Sequence, residues 1–197
     1  MKKTLLVALV LLVVSCKKNS ELKKSINSSK ENINLISKKD SLAIQLIELY
    51  GSDQIARRNH RMFTALDSIN FYRLVQFIED YGYPNEDLLG EKYMDIESIT
   101  GAPVAILLHN PHILVNEKKY LNFFLNEVEK GNMNRNSLAT VLDKYYWVRR
   151  DKFGNRKLLY GSEFGKPCKM YRKQSDSVRA IIGLKPLPET SFINCNP

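Results

Sequence analysis

The sequence predicts a mainly α-helical single domain, and three observations lead to this prediction. Apolar residues recur at helical spacing in three separate segments of the chain. Capping residues, and glycines or prolines that stop helices, stand at the ends of these segments. The part that follows the basic N-terminal stretch is long enough to bury one core, and it shows no internal repeat.

The clearest helical stripe lies in the middle of the chain and is formed by Phe71, Leu74, Val75 and Ile78. These positions follow the i, i+3, i+4, i+7 pattern of one helix face. We expect Asp67 or Ser68 to cap this helix, and Gly82 and Pro84 to end it.

Two further stripes follow the same pattern; they are Leu121, Phe124, Leu125 and Val128, and then Leu138, Val141, Leu142 and Tyr145. Three amphipathic helices need a shared core. The residues that we expect in it are Phe71, Leu74, Ile78, Leu121, Phe124, Leu125, Leu138 and Leu142.

The flanking segments are less regular. A helix is expected to begin at Asp40 or Ser41, and Gly51 either stops it or kinks it before a second helical segment with Ile55, Met62, Phe63 and Leu66 on its apolar face. Pro103 can begin a short helix that ends near His109. Residues 146–160 could form a small β-hairpin, and a last helix is expected near residues 176–182.

The first residues match an export signal. Lys2 and Lys3 precede the ten-residue apolar run Leu5–Val14, and Ser15 and Cys16 follow it. The run is too short to cross a bilayer, which takes roughly 20 apolar residues. We therefore expect residues 1–15 to be a signal peptide and Cys16 to carry acyl chains such as palmitate. An ordinary signal peptide with a chance cysteine is the alternative.

This interpretation predicts a lipoprotein of the cell envelope, anchored to a bacterial membrane with its domain outside the cytoplasm. Residues 16–39 contain seven lysines and two glutamates after Cys16 and so carry +5, which favours a solvated basic tether. Two more lysines lie in the signal peptide, so only +2 of the total +9 remains for the domain, residues 40–197. We expect an anionic membrane as partner, and no nucleic acid.

Two cysteines remain after Cys16. Cys168 and Cys195 would stand in an oxidising compartment, and a disulfide between them would stabilise the fold by roughly 3 to 4 kcal/mol in the chain-entropy model. Two free thiols in a loosely ordered C-terminal region are the alternative.

Several motifs occur in a fixed order: Asp53, Gln54 and Arg57; Asp67 with Asn70; Tyr81–Pro84; Gly90; His109; Asp143; Tyr160–Ser162; and Arg179 with Gly183, Leu184, Pro186 and Leu187. Together they resemble an uncharacterised bacterial family of unknown function with Asp-Gln-x-x-Arg, Tyr-Gly-Trp-Pro, Gln-His and Gln-x-Tyr-Gly-Thr-Gln motifs. The resemblance implies that the polar residues gather at one site. This chain has Leu108, Leu158 and Glu163 where that family has glutamine, Lys144 where it has arginine, and Tyr83 where it has tryptophan.

The candidate chemistry rests on Asp53, Arg57, His109 and Tyr160. Asp53 and Arg57 share a helix face with His60, and a solvated polar stripe is the simpler interpretation of that face. His109 lies at a helix end on an apolar face, where a histidine bonded to backbone is the usual outcome. We expect no metal and no cofactor, because Pro111 interrupts the spacing of His109 and His112 and no third ligand lies nearby in the sequence.

Two classes of function remain open. The first is a binding or envelope-associated domain with a small-molecule or protein partner. The second is a small hydrolase-like or transferase-like enzyme that uses His109 with Asp53, Arg57 and Tyr160. If these four side chains converge on one concave pocket, the enzyme is favoured; if they are scattered, the binding domain is favoured.

Overall fold

The computed structural model describes residues 38–55, 57–58 and 63–195. The chain divides into two compact units, Met1–Leu42 and Ala43–Pro197. In the first unit the described residues, 38–42, are helical. The predicted signal peptide, Cys16 and most of the predicted tether lie outside the described residues, as do His60 and Met62. None of the helices in the described part of the chain combines the length and the hydropathy that crossing a bilayer requires.

The described residues are mainly helical, which confirms the predicted fold class. The first helix, α1, covers residues 38–55 and continues at 57–58. The next helices are α2 (Thr64–Tyr81), α3 (Glu86–Leu89), α4 (Glu97–Thr100), α5 (Ala102–His109), α6 (Pro111–Asn116), α7 (Lys118–Glu129), α8 (Arg135–Trp147) and α9 (Arg172–Ile181). Short 3-10 helices cover Glu91–Tyr93, Lys169–Tyr171 and Glu189–Ser191.

The core of the second unit is built from the predicted stripes and from the apolar helix α5. Its largest fully buried side chains include Leu46, Phe71, Leu74, Ile106, Leu107, Phe124, Leu138 and Leu142. Six of the eight predicted core residues are buried, whereas Leu121 and Leu125 are only half-buried. Helix α7 instead turns Glu127 inward, because the Glu127 carboxylate accepts hydrogen bonds from Asn132 Nδ2 at 2.8 Å and Lys130 Nζ at 2.6 Å.

The junction between α5 and α6 fixes the end of α5 against α2. Asn110 is fully buried there, and its Nδ2 donates to the backbone oxygens of Asp67 and Ile106, both at 3.0 Å. Pro111 then starts α6, since a proline is tolerated in the first turn of a helix but not in its interior. As a result, His109 at the end of α5 stands beside the first turn of α2.

The predicted cap of α2 is wrong. Helix α2 begins at Thr64, so Asp67 is not its cap but a buried residue of its first turn. Gly51 lies inside α1, which continues past it to residue 55. The apolar face predicted after Ser52 is also wrong, because Ile55 is 58% exposed and Phe63 is 46% exposed.

The predicted hairpin near residues 146–160 does not form. Within the described residues, 148–160 contain no strand, and an isolated bridge joins Cys168 and Ile193. The backbone N–H groups of Leu159 and Tyr160, which a hairpin would pair with another strand, instead donate to Asp143 Oδ1 at 2.8 and 3.0 Å. A buried carboxylate therefore takes the place of a neighbouring strand.

The C-terminal segment is closed by a disulfide between Cys168 and Cys195, whose Cα atoms are 5.6 Å apart. Backbone bonds beside it join Lys169 N to Ile193 O at 2.9 Å and Ile193 N to Pro167 O at 3.0 Å. The structure thus contains this disulfide. The sequence alone did not distinguish it from two free thiols.

Candidate functional site

The site begins with a carboxylate on the buried face of α1. Leu46, Leu49 and Asp53 follow one another at helical spacing on this face, with exposed fractions of 0%, 3% and 0%. A carboxylate that is shielded from solvent needs polar partners, because burial of an unpaired charge costs on the order of several kcal/mol. The identity of these partners defines the site.

Asp53 has two side-chain partners. His109 Nδ1 lies 2.8 Å from its carboxylate, and Gln54 Nε2 donates to Oδ2 at 2.8 Å. The contact joins α1 to the end of α5, two elements that are far apart in the sequence. Asp53 is thus held in place, and it holds the imidazole ring of His109 in turn.

An ion pair next to this contact joins α1 to α2. Arg57 Nη2 donates to Asp67 Oδ1 at 2.5 Å. One helical turn further from the site, Ser52 Oγ donates to Asn70 Oδ1 at 2.9 Å. These two contacts set the first turns of α2 against the end of α1 and bring Asp67 beside His109.

Asp53, Asp67 and His109 form a cluster whose potential ligand atoms all lie within 4.8 Å of one another. Such a set of oxygen and nitrogen donors can in principle hold a divalent cation. In this structure, however, Arg57 is paired with Asp67, and His109 is paired with Asp53. The two carboxylates are compensated by side chains, so we do not assign the cluster to a metal.

A cavity of about 430 Å³ opens beside this cluster. The charged and titratable side chains that line it are Arg57, Asp67, His109, His112, Lys144 and Arg149. Three of them are permanent or near-permanent cations, and one is a carboxylate. The cavity is therefore cationic.

The positive charges at this cavity repel one another. Burial lowers the pKa of Lys144 from its ordinary value, and the positive charges of Arg156 and Arg57 lower it further. The Nε–H of Arg57 is buried and has no acceptor among the described residues. A negative charge placed in the cavity would relieve the crowding of positive charges around Lys144.

Part of the cavity wall is apolar. Leu108, Pro111 and Val148 line it together with the cations. Lys144 Nζ lies 4.3 Å from the ring centre of Trp147, within the range of a cation–π contact. The wall thus offers an apolar contact next to positive charge.

The contact with Asp53 engages one of the two ring nitrogens of His109, Nδ1. When the Asp53 carboxylate is ionised it can only accept hydrogen bonds, and the proton in the contact is then carried by Nδ1 of His109. His109 lines the cavity, and its Nε2 has no partner among the described residues. Nε2 is then a base in the neutral ring and a donor in the protonated ring.

The structure brings Asp53, Arg57 and His109 together, but it does not bring Tyr160 to this cavity. Tyr160 is buried beside Asp143, and burial, followed by Tyr146 and Asp143, raises the pKa of its hydroxyl. Its backbone oxygen accepts from Arg179. The segment around Tyr160 is held by structural hydrogen bonds.

Sequence reasoning missed several residues of the site. Asp67 was expected to cap a helix, and Lys144, Arg149 and His112 were not expected beside His109 in one cavity. Lys144 lies on the predicted α8 helix, but only the packing of α5 against α8 shows that its side chain reaches the same cavity as Arg57. In this region, the sequence feature that pointed to a site was a pair of polar residues three positions apart, Asp67 and Asn70.

No family model, curated protein or solved structure matches this chain. The resemblance to an uncharacterised bacterial family therefore stays a prediction from the motifs.

Proposed function

We propose that this chain is an exported, lipid-anchored protein whose helical domain binds a small organic anion in the cavity beside Asp53 and His109. The observation that carries the proposal is the placement of Lys144 and Arg149 around one cavity beside the Arg57–Asp67 ion pair, because neither of these two cations has a carboxylate partner among the described residues. A cavity with this charge selects anions.

The electrostatics support an anion more strongly than a neutral ligand. Burial is the main cause of the lowered pKa of Lys144, and the positive charges of Arg156 and Arg57 lower this pKa further. Arg57 and Arg149 add guanidinium groups to the lining of the same cavity. A phosphate or carboxylate group accepts from several such donors at once, and hydrogen bonds of this charged kind are about twice as strong as neutral ones.

The apolar part of the wall indicates that the anion carries an apolar group. Leu108, Pro111 and Val148 provide this contact, and Leu108 stands where the resembled family has glutamine. Ligand sites commonly combine an apolar lining with a few polar anchors. Phenyl phosphate has both features and suits a first test.

Calorimetric titration of the full-length chain in detergent tests this proposal. We expect phenyl phosphate to bind and benzyl alcohol, which lacks the charge, to bind at least tenfold more weakly, or about 1.4 kcal/mol. Lys144→Met removes one cation and keeps the aliphatic chain, so it should weaken phenyl phosphate binding. Lys173→Met, at an exposed position of α9, is the matched control. Equal binding of the neutral compound, or an unchanged affinity in Lys144→Met, would overturn the proposal.

The anchor is supported by the residues before the domain. The charged start, the short apolar run and Ser15 before Cys16 fit a lipoprotein signal peptide. The disulfide between Cys168 and Cys195 agrees with an oxidising compartment outside the cytoplasm.

A second candidate function, proton-transfer catalysis, is favoured by one contact. Asp53 holds Nδ1 of His109, which leaves Nε2 to take a proton from a water molecule that attacks a bound ester or phosphate ester and displaces its alcohol or phenol as the leaving group. If the domain is such an enzyme, nitrophenyl phosphates or esters should be hydrolysed by the full chain, and His109→Gln should abolish turnover while it leaves phenyl phosphate binding within a few fold. Turnover that is equal in His109→Gln would exclude this role.

A further inference from the structure

We propose that an exposed loop of the domain, residues 148–154, docks onto an anionic lipid surface. This inference concerns a different ligand from that of the cavity, and it goes beyond the proposed function. The loop shares Val148 and Arg149 with the lining of the cavity, whereas Arg150, Lys152 and Phe153 lie outside that lining. We call residues 148–154 the basic loop.

The basic loop exposes apolar and cationic side chains together. Val148 is 56% exposed and Phe153 is 43% exposed. Arg149, Arg150 and Lys152 lie between them and are exposed as well. An apolar tip surrounded by cations is the pattern by which peripheral proteins insert into the headgroup region of anionic membranes.

The one acidic residue of the loop does not cancel these charges at the surface. Asp151 Oδ1 accepts from the backbone N–H groups of Phe153 and Asn155, both at 2.9 Å. Its Oδ2 accepts from the Tyr171 hydroxyl at 2.6 Å. The carboxylate is thus turned toward the loop's own backbone and toward Tyr171, away from the cationic side chains.

The same bonds keep the loop in one conformation. Asp151 N donates to Asn155 O at 2.9 Å, Gly154 N donates to Asp151 O at 3.0 Å, and Arg150 Nη1 donates to Gly154 O at 2.6 Å. Phe153 is therefore presented at the tip by a closed turn. A preformed tip loses little conformational entropy when it inserts.

The charge of the loop favours lipid over other partners. Anionic headgroups form a continuous negative surface that meets three adjacent cations without specific geometry, and the acyl region beneath accepts Phe153. An acidic protein surface could meet the cations, but it would need a matching apolar pocket for the phenyl ring.

The test uses the full-length, lipidated chain reconstituted in vesicles, with tryptophan as the depth probe. Trp147 is the single tryptophan of the chain, so Trp147→Phe gives a silent background. Phe153→Trp places the probe at the tip, and Ile181→Trp places a control probe at a position of α9 that is 65% exposed. Brominated acyl chains quench only tryptophan that reaches the acyl region.

In vesicles that contain phosphatidylglycerol and brominated acyl chains, we expect the tryptophan emission at position 153 to shift to the blue and to fall by about half. The tryptophan emission at position 181 should change little. Arg150→Ser combined with Lys152→Ser, or vesicles of phosphatidylcholine alone, should remove most of this quenching, and added salt should weaken it. Circular dichroism checks that each variant is folded. If Trp147→Phe unfolds the chain, the same comparison is made with Trp147 retained and its emission subtracted.

Equal quenching at 153 and 181 would overturn the proposal, because the anchor alone then brings both positions to the membrane. Absence of quenching at 153 would also overturn it and would assign the exposed Phe153 to a protein partner instead. Quenching that is independent of lipid charge would contradict the role of Arg150 and Lys152.

Discussion

At the residue scale, the position of His109 depends on one buried carboxylate. Asp53 holds Nδ1 of the ring, and Gln54 Nε2 donates to the same carboxylate. The link is strong because both groups lie mostly away from water, where a hydrogen bond to a charged group contributes more than at the surface. It couples the end of α1 to the end of α5.

A double-mutant cycle measures this coupling. Asp53→Ala and His109→Ala should each lower the free energy of unfolding by about 1.5 to 3 kcal/mol, because each leaves a polar partner unsatisfied. The double variant should be less destabilised than the sum of the two by about 1 to 2 kcal/mol. Chemical denaturation provides all four values. Strictly additive effects would mean that the two side chains do not interact.

A second prediction at this scale concerns the pH dependence of anion binding. Burial and the charges of Arg156 and Arg57 lower the pKa of Lys144, so this ammonium loses its proton at lower pH than an ordinary lysine of pKa 10.5. The folded protein without ligand therefore disfavours the charged form, and an anion in the cavity restores it.

We expect the affinity for phenyl phosphate to fall as the pH rises through this lowered pKa, and binding there to take up protons. Calorimetry in buffers of different ionisation enthalpy detects the uptake. The affinity of Lys144→Met should be nearly constant over the same alkaline range. A wild-type affinity that is equally constant would show that Lys144 does not contact the anion.

At the scale of helices, the sequence predicts the elements whose faces are decided by their own apolar pattern. Helix α2 carries a complete stripe, and Phe71, Leu74 and Ile78 are buried as predicted. Helix α1 behaves differently, because Asp53 faces inward while Ile55 stays exposed. The apolar pattern alone favoured the opposite face. One partner of Asp53, His109, lies on α5, more than fifty residues later, where no local pattern shows it.

The region after α8 is a second case in which the local sequence pattern does not predict the contacts that form. Its turn at Asp151 and Gly154 is readable from the sequence, but the hairpin that was inferred from it is not formed. Asp143 satisfies the backbone of Leu159, Tyr160 and Ser162 instead, and Arg179 bonds to the oxygen of Tyr160. A buried side chain that replaces a strand leaves no periodic signal.

The difference between fully and partly buried core positions gives a prediction for α7 and α8. Leu138→Ala should lower the free energy of unfolding by about 2 to 5 kcal/mol, because Leu138 is fully buried and leaves a cavity. Leu125→Ala should cost only about 1 kcal/mol, because Leu125 is half-buried. Urea denaturation of both variants checks the order. A larger cost at Leu125 would contradict the packing of α7.

At the scale of the whole molecule, the motif residues that occur in a fixed order along the sequence include two separate clusters. Asp53, Arg57, Asp67 and His109 gather at the cavity. The later motif residues, such as Asp143 and Arg179, tie the C-terminal segment to α8. The sequence predicted that the polar motifs meet at one site, but only the first group does, because the second group satisfies backbone groups.

The proposed anchor makes a prediction about the whole chain. Cys16→Ser should abolish acylation and release the protein from the membrane fraction, because no acyl chains then hold it there. Metabolic labelling with a tagged fatty acid follows the acylation, and fractionation follows the release. Ser15→Thr, which keeps the cysteine, is the matched control. Label retained on the Cys16→Ser protein would contradict the lipoprotein assignment.

The most direct test of the central claim, that the Asp53–His109 contact faces an anion-binding cavity, is nuclear magnetic resonance of the His109 ring during titration with phenyl phosphate. The account predicts that the Nε2 resonance of His109 shifts and saturates at the concentration at which calorimetry detects binding. The shift should be much smaller in Lys144→Met and should be retained in Lys173→Met. An Nε2 resonance of His109 that stays unchanged while phenyl phosphate binds would place the anion elsewhere and contradict the account.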